Sequence, residues 1–371
     1  MEKPAKNMVK EELDPRLIAT VLIVGIIEFE VFIVPRTIVQ VTGQDAWISV
    51  LLGGGITLLT TWMLITLAAR FPRENFFQYH KRVWGKVLSW PITLGYFLFW
   101  IVFLVMLLQE FSWINKTFFL YETPVFIPKL LIILAAALLV SYGFAVLARF
   151  FQLMLPFLLI PLLSVFLLTI FKIEWVHFLP ILEKGMIPVL KGTAYYLGSI
   201  QGLMGIILFF SPFMKEPRSV LKPALVAVSI VFLLNIVQTI GAIGVLGVEN
   251  IKESAYPGID TITVIEMPGF PVERYELWLT MPWLLGIFTT WSLFLYLLAY
   301  EVMQVLGINA KKTVIYSWAA ILFIITYLIP NSAWTTQIRR GITLATLGFV
   351  YLIPAFTFIV AIIRKKRGTG V

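Results

Sequence analysis

The sequence predicts an all-α integral membrane protein that crosses the bilayer about ten times, and three observations carry this. The composition is 60% hydrophobic, 15% aromatic and 13% charged, whereas a soluble domain is roughly 45–50% apolar and about 25% charged. Apolar runs of about 17 to 25 residues recur from one end to the other, each long enough to cross a hydrocarbon core of about 30 Å. These runs are rich in Leu, Ile and Phe and lack the apolar–polar alternation of barrel strands, so helices are what satisfies the backbone in lipid.

Spans are expected near residues 17–34, 45–69, 87–114, 125–143, 149–171, 190–213, 220–247, 274–300, 313–330 and 340–363. The first follows a charged stretch but ends at Val34-Pro35-Arg36 without a small-residue cleavage pattern. It reads as a retained helix, not a signal peptide, with the mature chain starting near Met1. No soluble domain fits between spans, so residues 1–371 form one transmembrane domain. Between spans two and three, Arg70 to Trp90 mixes basic and aromatic residues in the manner of a short helix on the membrane surface. The longest loop, Val248 to Arg274, is acidic and rich in Pro and Gly; it is either a lid or a variable connector.

The net charge of +9 comes from basic residues at span ends. They form no single stripe, which argues for orientation and against a nucleic-acid partner. Of the 29 Lys and Arg, about 19 fall on the side of the N-terminus and about 10 on the other, placing both termini in the cytoplasm. The tail Arg364-Lys365-Lys366-Arg367 reads as a stop and orientation signal. With no cysteine there are no disulfides or thiolate metal sites. His80 and His177 stand too far apart to suggest a metal site, and no cofactor is expected. No His-rich cluster, nucleophile motif or phosphate loop points to an enzyme.

Divided after the fifth span, the chain gives two five-helix halves, residues 17–171 and 190–363. An odd number of spans per half inverts the second in the membrane. Both lead helices have unusual middles: Gly25-Ile26-Ile27-Glu28-Phe29-Glu30 in span one, and Gly198-Ser199-Ile200-Gln201-Gly202-Leu203-Met204-Gly205 in span six. Glycine and polar residues weaken a helix at mid-membrane, where freed backbone groups survive only beside a cavity. Amide donors and carbonyl acceptors at such a break could bind a small zwitterion or an ion. The candidate ligand-binding residues are therefore Gly25, Ile26, Glu28, Gly198, Ser199, Gln201, Gly202 and Met204. The other use of Gly198, Gly202 and Gly205 is close approach by a neighbouring helix.

Glu28 stands about eleven residues into its span, roughly 17 Å deep at 1.5 Å per residue. An ionisable group at that depth serves a cavity or a partner: it binds a proton or a ligand amine, or it is a neutral hydrogen-bonder. Glu30, about 200° further around a regular helix, is the second proton-coupling candidate, with Arg36 as its suggested partner. Glu110, late in span three, reads as a polar contact with the outer loops.

Several stretches resemble the B subunits of GerA-type spore germinant receptors, within the amino acid-polyamine-organocation transporter superfamily. They are Thr42-Gly43-Gln44-Asp45-Ala46-Trp47-Ile48-Ser49 entering span two and Ala68-Ala69-Arg70-Phe71-Pro72 leaving it, then Ala145-Val146-Leu147-Ala148-Arg149 before span five. Gln201-Gly202, Ser211-Pro212-Phe213-Met214-Lys215 and Val272-Glu273-Arg274-Tyr275-Glu276 complete the set. The resemblance runs over essentially the whole chain. It implies a LeuT-like pair of inverted repeats with interrupted helices 1 and 6 around a small-molecule pocket, a ligand such as an amino acid, and a partner A subunit and lipoprotein C subunit in the spore inner membrane. Met204 stands where the family pattern has an acidic residue, and Glu28 and Glu30 are unusual in a first helix. The alternative function is an amino acid or amine permease or proton-coupled antiporter.

Overall fold

A computed structural model of the protein describes residues 13–27, 30–199, 207–209, 211–214, 216–264, 276–329 and 332–368. Asp14 opens the first helix: its side chain accepts from the Arg16 N–H at 2.8 Å, and Pro15 takes the first position, where no amide donor is needed. Helices then follow in the order α1 (Pro15–Ile26), α2 (Glu30–Thr42), α3 (Ala46–Arg70), α4 (Phe76–Trp84), α5 (Lys86–Phe118), α6 (Phe126–Ser141) and α7 (Phe144–Ile170). The second half holds α8 (Met186–Ser199), α9 (Pro217–Glu253), α10 (Pro257–Thr263), α11 (Glu276–Leu306), α12 (Lys311–Leu328), α13 (Ser332–Thr346) and α14 (Ile353–Ile363).

Seven helical stretches among the described residues are long and apolar enough to cross a membrane, and α1 and α6 are shorter apolar helices. With α1 and α2 taken as the two halves of span one, and α8 as the start of span six, the order matches the ten expected spans. Two ends differ. Span seven was expected to stop at Gly247, where φ is +73° and helical geometry breaks, yet helical bonding resumes to Glu253. Span eight was expected to stop at Tyr300, whereas α11 runs on to Leu306 and carries Glu301 inside the bundle.

Exposed Leu59, Leu131, Leu153, Phe157 and Leu167 mark helix faces suited to hydrocarbon. Polar residues within spans satisfy themselves locally: the hydroxyls of Thr60, Thr61, Thr66 and Thr239 donate to carbonyls four residues back at 2.7–2.8 Å. Inside the bundle α3 packs on α8 and α9, α1 on α7 and α9, α2 on α8, α5 on α11 and α13, and α6 on α11 and α12. Between α13 and α14, residues Leu347–Leu352 form a π-helical turn. Such a turn shifts the backbone ladder by one residue, and here the Tyr96 hydroxyl of α5 donates to the Phe349 carbonyl.

The expected surface helix is α4. Asn75 and Gln78 form a reciprocal capping box at 2.9 and 3.0 Å. Phe76, Phe77, Tyr79, His80 and Val83 turn inward, and Arg82 pairs with Glu74 at 3.0 Å. Both described chain ends reach this end of the bundle. The Leu13 N–H donates to the Phe213 carbonyl at 2.9 Å, and the Gly368 N–H to the Arg70 carbonyl at 2.9 Å.

The basic tail, read from sequence as an orientation signal alone, is also a clasp. Arg364 donates to the Val83 carbonyl at 2.9 Å, while Arg70 and Arg82 donate to the carbonyls of Lys366 and Arg367, each at 3.3 Å.

Candidate ligand site at the helix break

Span one leaves helical geometry in the middle of the membrane. The last helical bond of α1 runs from the Ile27 N–H to the Ile23 carbonyl at 2.9 Å, and Ile27 itself has φ −75° and ψ 51°. Twelve residues of α1 at 1.5 Å each put this break about 18 Å from Pro15, close to halfway across a hydrocarbon core of about 30 Å. Gly25, Ile26 and Ile27 are buried. The Gly25 carbonyl accepts from Thr290 Oγ1 of α11 at 3.2 Å. Glu28 lies outside the described residues. Glu30 begins α2, but its side chain lies outside the described residues too.

In span six, α8 ends at Ser199, whose hydroxyl donates to the Tyr196 carbonyl at 2.9 Å. Gly198 and Ser199 are buried; Gln201, Gly202 and Met204 lie outside the described residues. A Cβ on Gly198 would sit 2.4 Å from Thr343 Cγ2 and 2.5 Å from the Thr343 carbonyl oxygen of α13. Gly198 therefore serves the close helix approach that the sequence left open beside binding. Among the described residues no hydrogen bond joins Gly25 or Ile26 directly to Gly198 or Ser199. The Gly198→Ala variant should lose about 1–3 kcal/mol of stability, the usual cost of overpacking, in chemical unfolding of the micelle-solubilised chain. Parent-like stability would show that α13 can back away.

The motifs quoted for the resemblance fasten span six at both ends. At the entrance to α8, Gln44 Nε2 donates to the Pro180 carbonyl at 2.7 Å, the buried Asp45 carboxylate accepts from the Leu182 N–H at 3.0 Å, and Ser49 Oγ donates to the Val189 carbonyl at 2.9 Å. Gly43 makes this corner possible with a φ of +65°. At the opposite end, Ser211 Oγ donates to the Phe71 carbonyl at 3.3 Å, and Leu13 holds the Phe213 carbonyl.

The profile of the family described as "Spore germination protein" matches residues 12–333 of the chain. The chain belongs to that family. Among its relatives, spore germination protein YndE of Bacillus subtilis (strain 168) is 26% identical over 95% of this chain and 96% of that protein. Spore germination protein KB of the same strain is 25% identical over 88% and 89%, and spore germination protein GerLB of Bacillus cereus is 25% identical over 96% of each. Among solved structures, MhsT in complex with L-phenylalanine superposes with a TM-score of 0.68 at 12% identity, covering 99% of this chain and 91% of MhsT. This member of the spore germination family therefore has the LeuT transporter fold.

Several buried polar groups lie outside the family motifs. Glu301 of α11 is fully buried; its Oε2 accepts from Asn75 Nδ2 at 3.0 Å, and its Oε1 has no hydrogen-bond partner among the described residues. The one available signal was an acidic residue next to the expected end of span eight. His80 of α4 is fully buried, and its Nδ1 lies 2.6 Å from Ser89 Oγ. Burial pushes the imidazole down to about 4, so it is neutral near pH 7. Glu110, expected to make a polar contact with the outer loops, forms an ion pair with Arg339, a residue expected in the loop before span ten and found within α13. At the adjoining position of α5, Gln109 Oε1 accepts from the Lys129 ammonium of α6 at 2.6 Å, which also donates to the Thr326 carbonyl at 3.3 Å. Lys129 and Arg339, counted from sequence as loop charges, are thus held within helices. Among the described residues no group of three His, Asp or Glu could hold a metal.

Proposed function

We propose that this chain is the ligand-binding B-type subunit of a nutrient germinant receptor. A small zwitterion such as an amino acid binds at mid-membrane between Gly25–Glu28 and Gly198–Gly202, with Ile26, Ser199, Gln201 and Met204 around it. The observation that carries this reading is the departure from helical geometry at Ile27, about halfway across the membrane, with Gly25 and Ile26 buried beside it. The likeness to MhsT, whose crystals held L-phenylalanine, supports an amino-acid-sized ligand. Glu28 takes the ligand amine or a proton, and Glu30 is the second candidate. Binding acts by differential affinity for two conformations of the bundle, which an A subunit and a lipoprotein C subunit read in the spore inner membrane. The repeats span 17–171 and 190–363, and both termini face the cytoplasm. The transporter fold favours a second reading, an amino acid or amine permease or proton-coupled antiporter, which needs the same pocket and also release on the far side.

The test is equilibrium binding of radiolabelled amino acids to the reconstituted chain across pH, with vesicle uptake measured in parallel. Saturable binding without accumulation supports the receptor, and accumulation supports the permease. Glu28→Gln should weaken binding at least about tenfold, equivalent to about 1.4 kcal/mol, or flatten its pH dependence, while Glu30→Gln stays closer to the parent. Gly202→Leu should abolish binding at unchanged abundance. Parent-like affinity and pH profile in Glu28→Gln would leave that carboxyl a neutral hydrogen-bonder.

A further inference from the structure

A cavity of about 230 Å³ opens between α4, the first turns of α5 and the last turn of α11. Its floor includes Asn75, Ser89 and Thr93, all buried, and its rim carries Lys81 and Lys86 beside Trp90. None of the residues that line it is acidic. Glu74, next to Asn75 in the chain, pairs with Arg82, and Glu301 accepts from Asn75 through one oxygen. Neither Lys81 nor Lys86 has an ion pair among the described residues. A concave site with two unneutralised ammonium groups suits a phosphate.

What surrounds the mouth says which kind of phosphate. Trp90 is 56% exposed, and on the same face of α5 stand Val87 at 89%, Leu94 at 57% and Leu98 at 54%. These positions, three or four residues apart, form one apolar stripe that leads from the cavity into the span. Lysine and tryptophan at the start of a span mark the level of lipid headgroups. A free phosphate would use the cavity and leave the stripe idle; a phospholipid uses both.

We propose that this cavity binds one anionic phospholipid, its phosphate between Lys81 and Lys86 and an acyl chain along Val87, Trp90, Leu94 and Leu98. Because the site sits beneath α4, which Asn75 joins to Glu301 of α11 and the basic tail clasps from outside, the lipid is a third fastening of the same helix. The site is independent of the pocket at the helix break.

The experiment is native mass spectrometry of the detergent-purified full chain titrated with phosphatidylglycerol, phosphatidylcholine or inorganic phosphate. The parent should bind one phosphatidylglycerol in preference to phosphatidylcholine. The double variant Lys81→Gln/Lys86→Gln should lose about thirtyfold in affinity, at the strength a lysine contributes near an anionic surface, and Lys81→Arg/Lys86→Arg should retain binding. Trp90→Ser/Leu94→Ser should also weaken retention, and millimolar inorganic phosphate should not displace the lipid. Equal retention of both lipids, or unchanged retention in the Gln double variant at parent-like melting temperature, overturns the proposal. Binding of inorganic phosphate as tight as that of phosphatidylglycerol, insensitive to Trp90→Ser/Leu94→Ser, overturns the lipid in favour of a free anion.

Discussion

Arg339→Ala should lower the stability of the bundle by about 3 kcal/mol. The carboxylate of Glu110, 5% exposed on α5, pairs with the guanidinium of Arg339, 23% exposed on α13. Removing one member of a buried ion pair strands the other charge and costs about 3–5 kcal/mol; because Arg339 keeps some access to water, the low end applies. The comparison that isolates the pair is a double-mutant cycle with Glu110→Gln, in which the second substitution should cost much less than it does alone. The charge swap Glu110→Arg/Arg339→Glu should recover part of the loss. Chemical unfolding in micelles reads each variant, and a loss of under about 1 kcal/mol would put the pair in the class of screened surface bridges.

Acidification should loosen the α4 end of the bundle through His80. In the unfolded chain an imidazole titrates near 6.5, whereas in the fold His80 is pushed down to about 4 by burial. Between these values the unfolded chain binds the proton and the folded one does not. The contribution of His80 is therefore fully present above about pH 6.5 and declines as the pH falls towards 4, by up to about 3 kcal/mol. Below about 4 both states are protonated and the decline stops. His80→Asn, which keeps a hydrogen-bonding atom towards Ser89, should remove this part of the pH slope while leaving the part that carboxylates contribute. The measurement is stability against pH for parent and variant, with hydrogen exchange over residues 75–84 locating the change. Identical slopes would show that His80 already meets its proton in the folded state.

How much of this was legible in the sequence depended on whether the signal was local. Run lengths gave the spans. Gly25 to Glu28 marked the break, which the structure places at Ile27, whereas the end expected for span seven at residue 247 is a kink within a helix that runs on to Glu253. The alternation of basic and aromatic residues between Arg70 and Trp90 located α4. The long-range polar pairs were illegible for a physical reason. A helix at a soluble surface shows its buried face by contrast with a polar one, but here the lipid-facing and the core-facing sides are both apolar. Leu131 and Ile132 look alike in sequence, yet one faces outward and the other is buried. Without that contrast nothing local ties Asn75 to Glu301, 226 residues away, or Glu110 to Arg339. The family motifs were visible as words without a meaning. Gln44, Asp45 and Ser49 explain themselves only when the backbone that they hold, from Pro180 to Val189, is seen beside them.

Span six is tethered at one end by Gln44, Asp45 and Ser49 and at the other by Phe71 and Leu13. A beam pinned at both supports does not slide when it is loaded at midspan; it flexes, and the supports feel a torque. A disturbance near Ser199 would be delivered as leverage on two corners at opposite surfaces of the membrane, the turn at Gly43 and the turn at Phe71. Both corners belong to the two ends of α3. That one helix therefore couples the two surfaces as a rigid strut, and a tilt imposed at its Gly43 end must reappear, with opposite sense, where α4 and the tail begin.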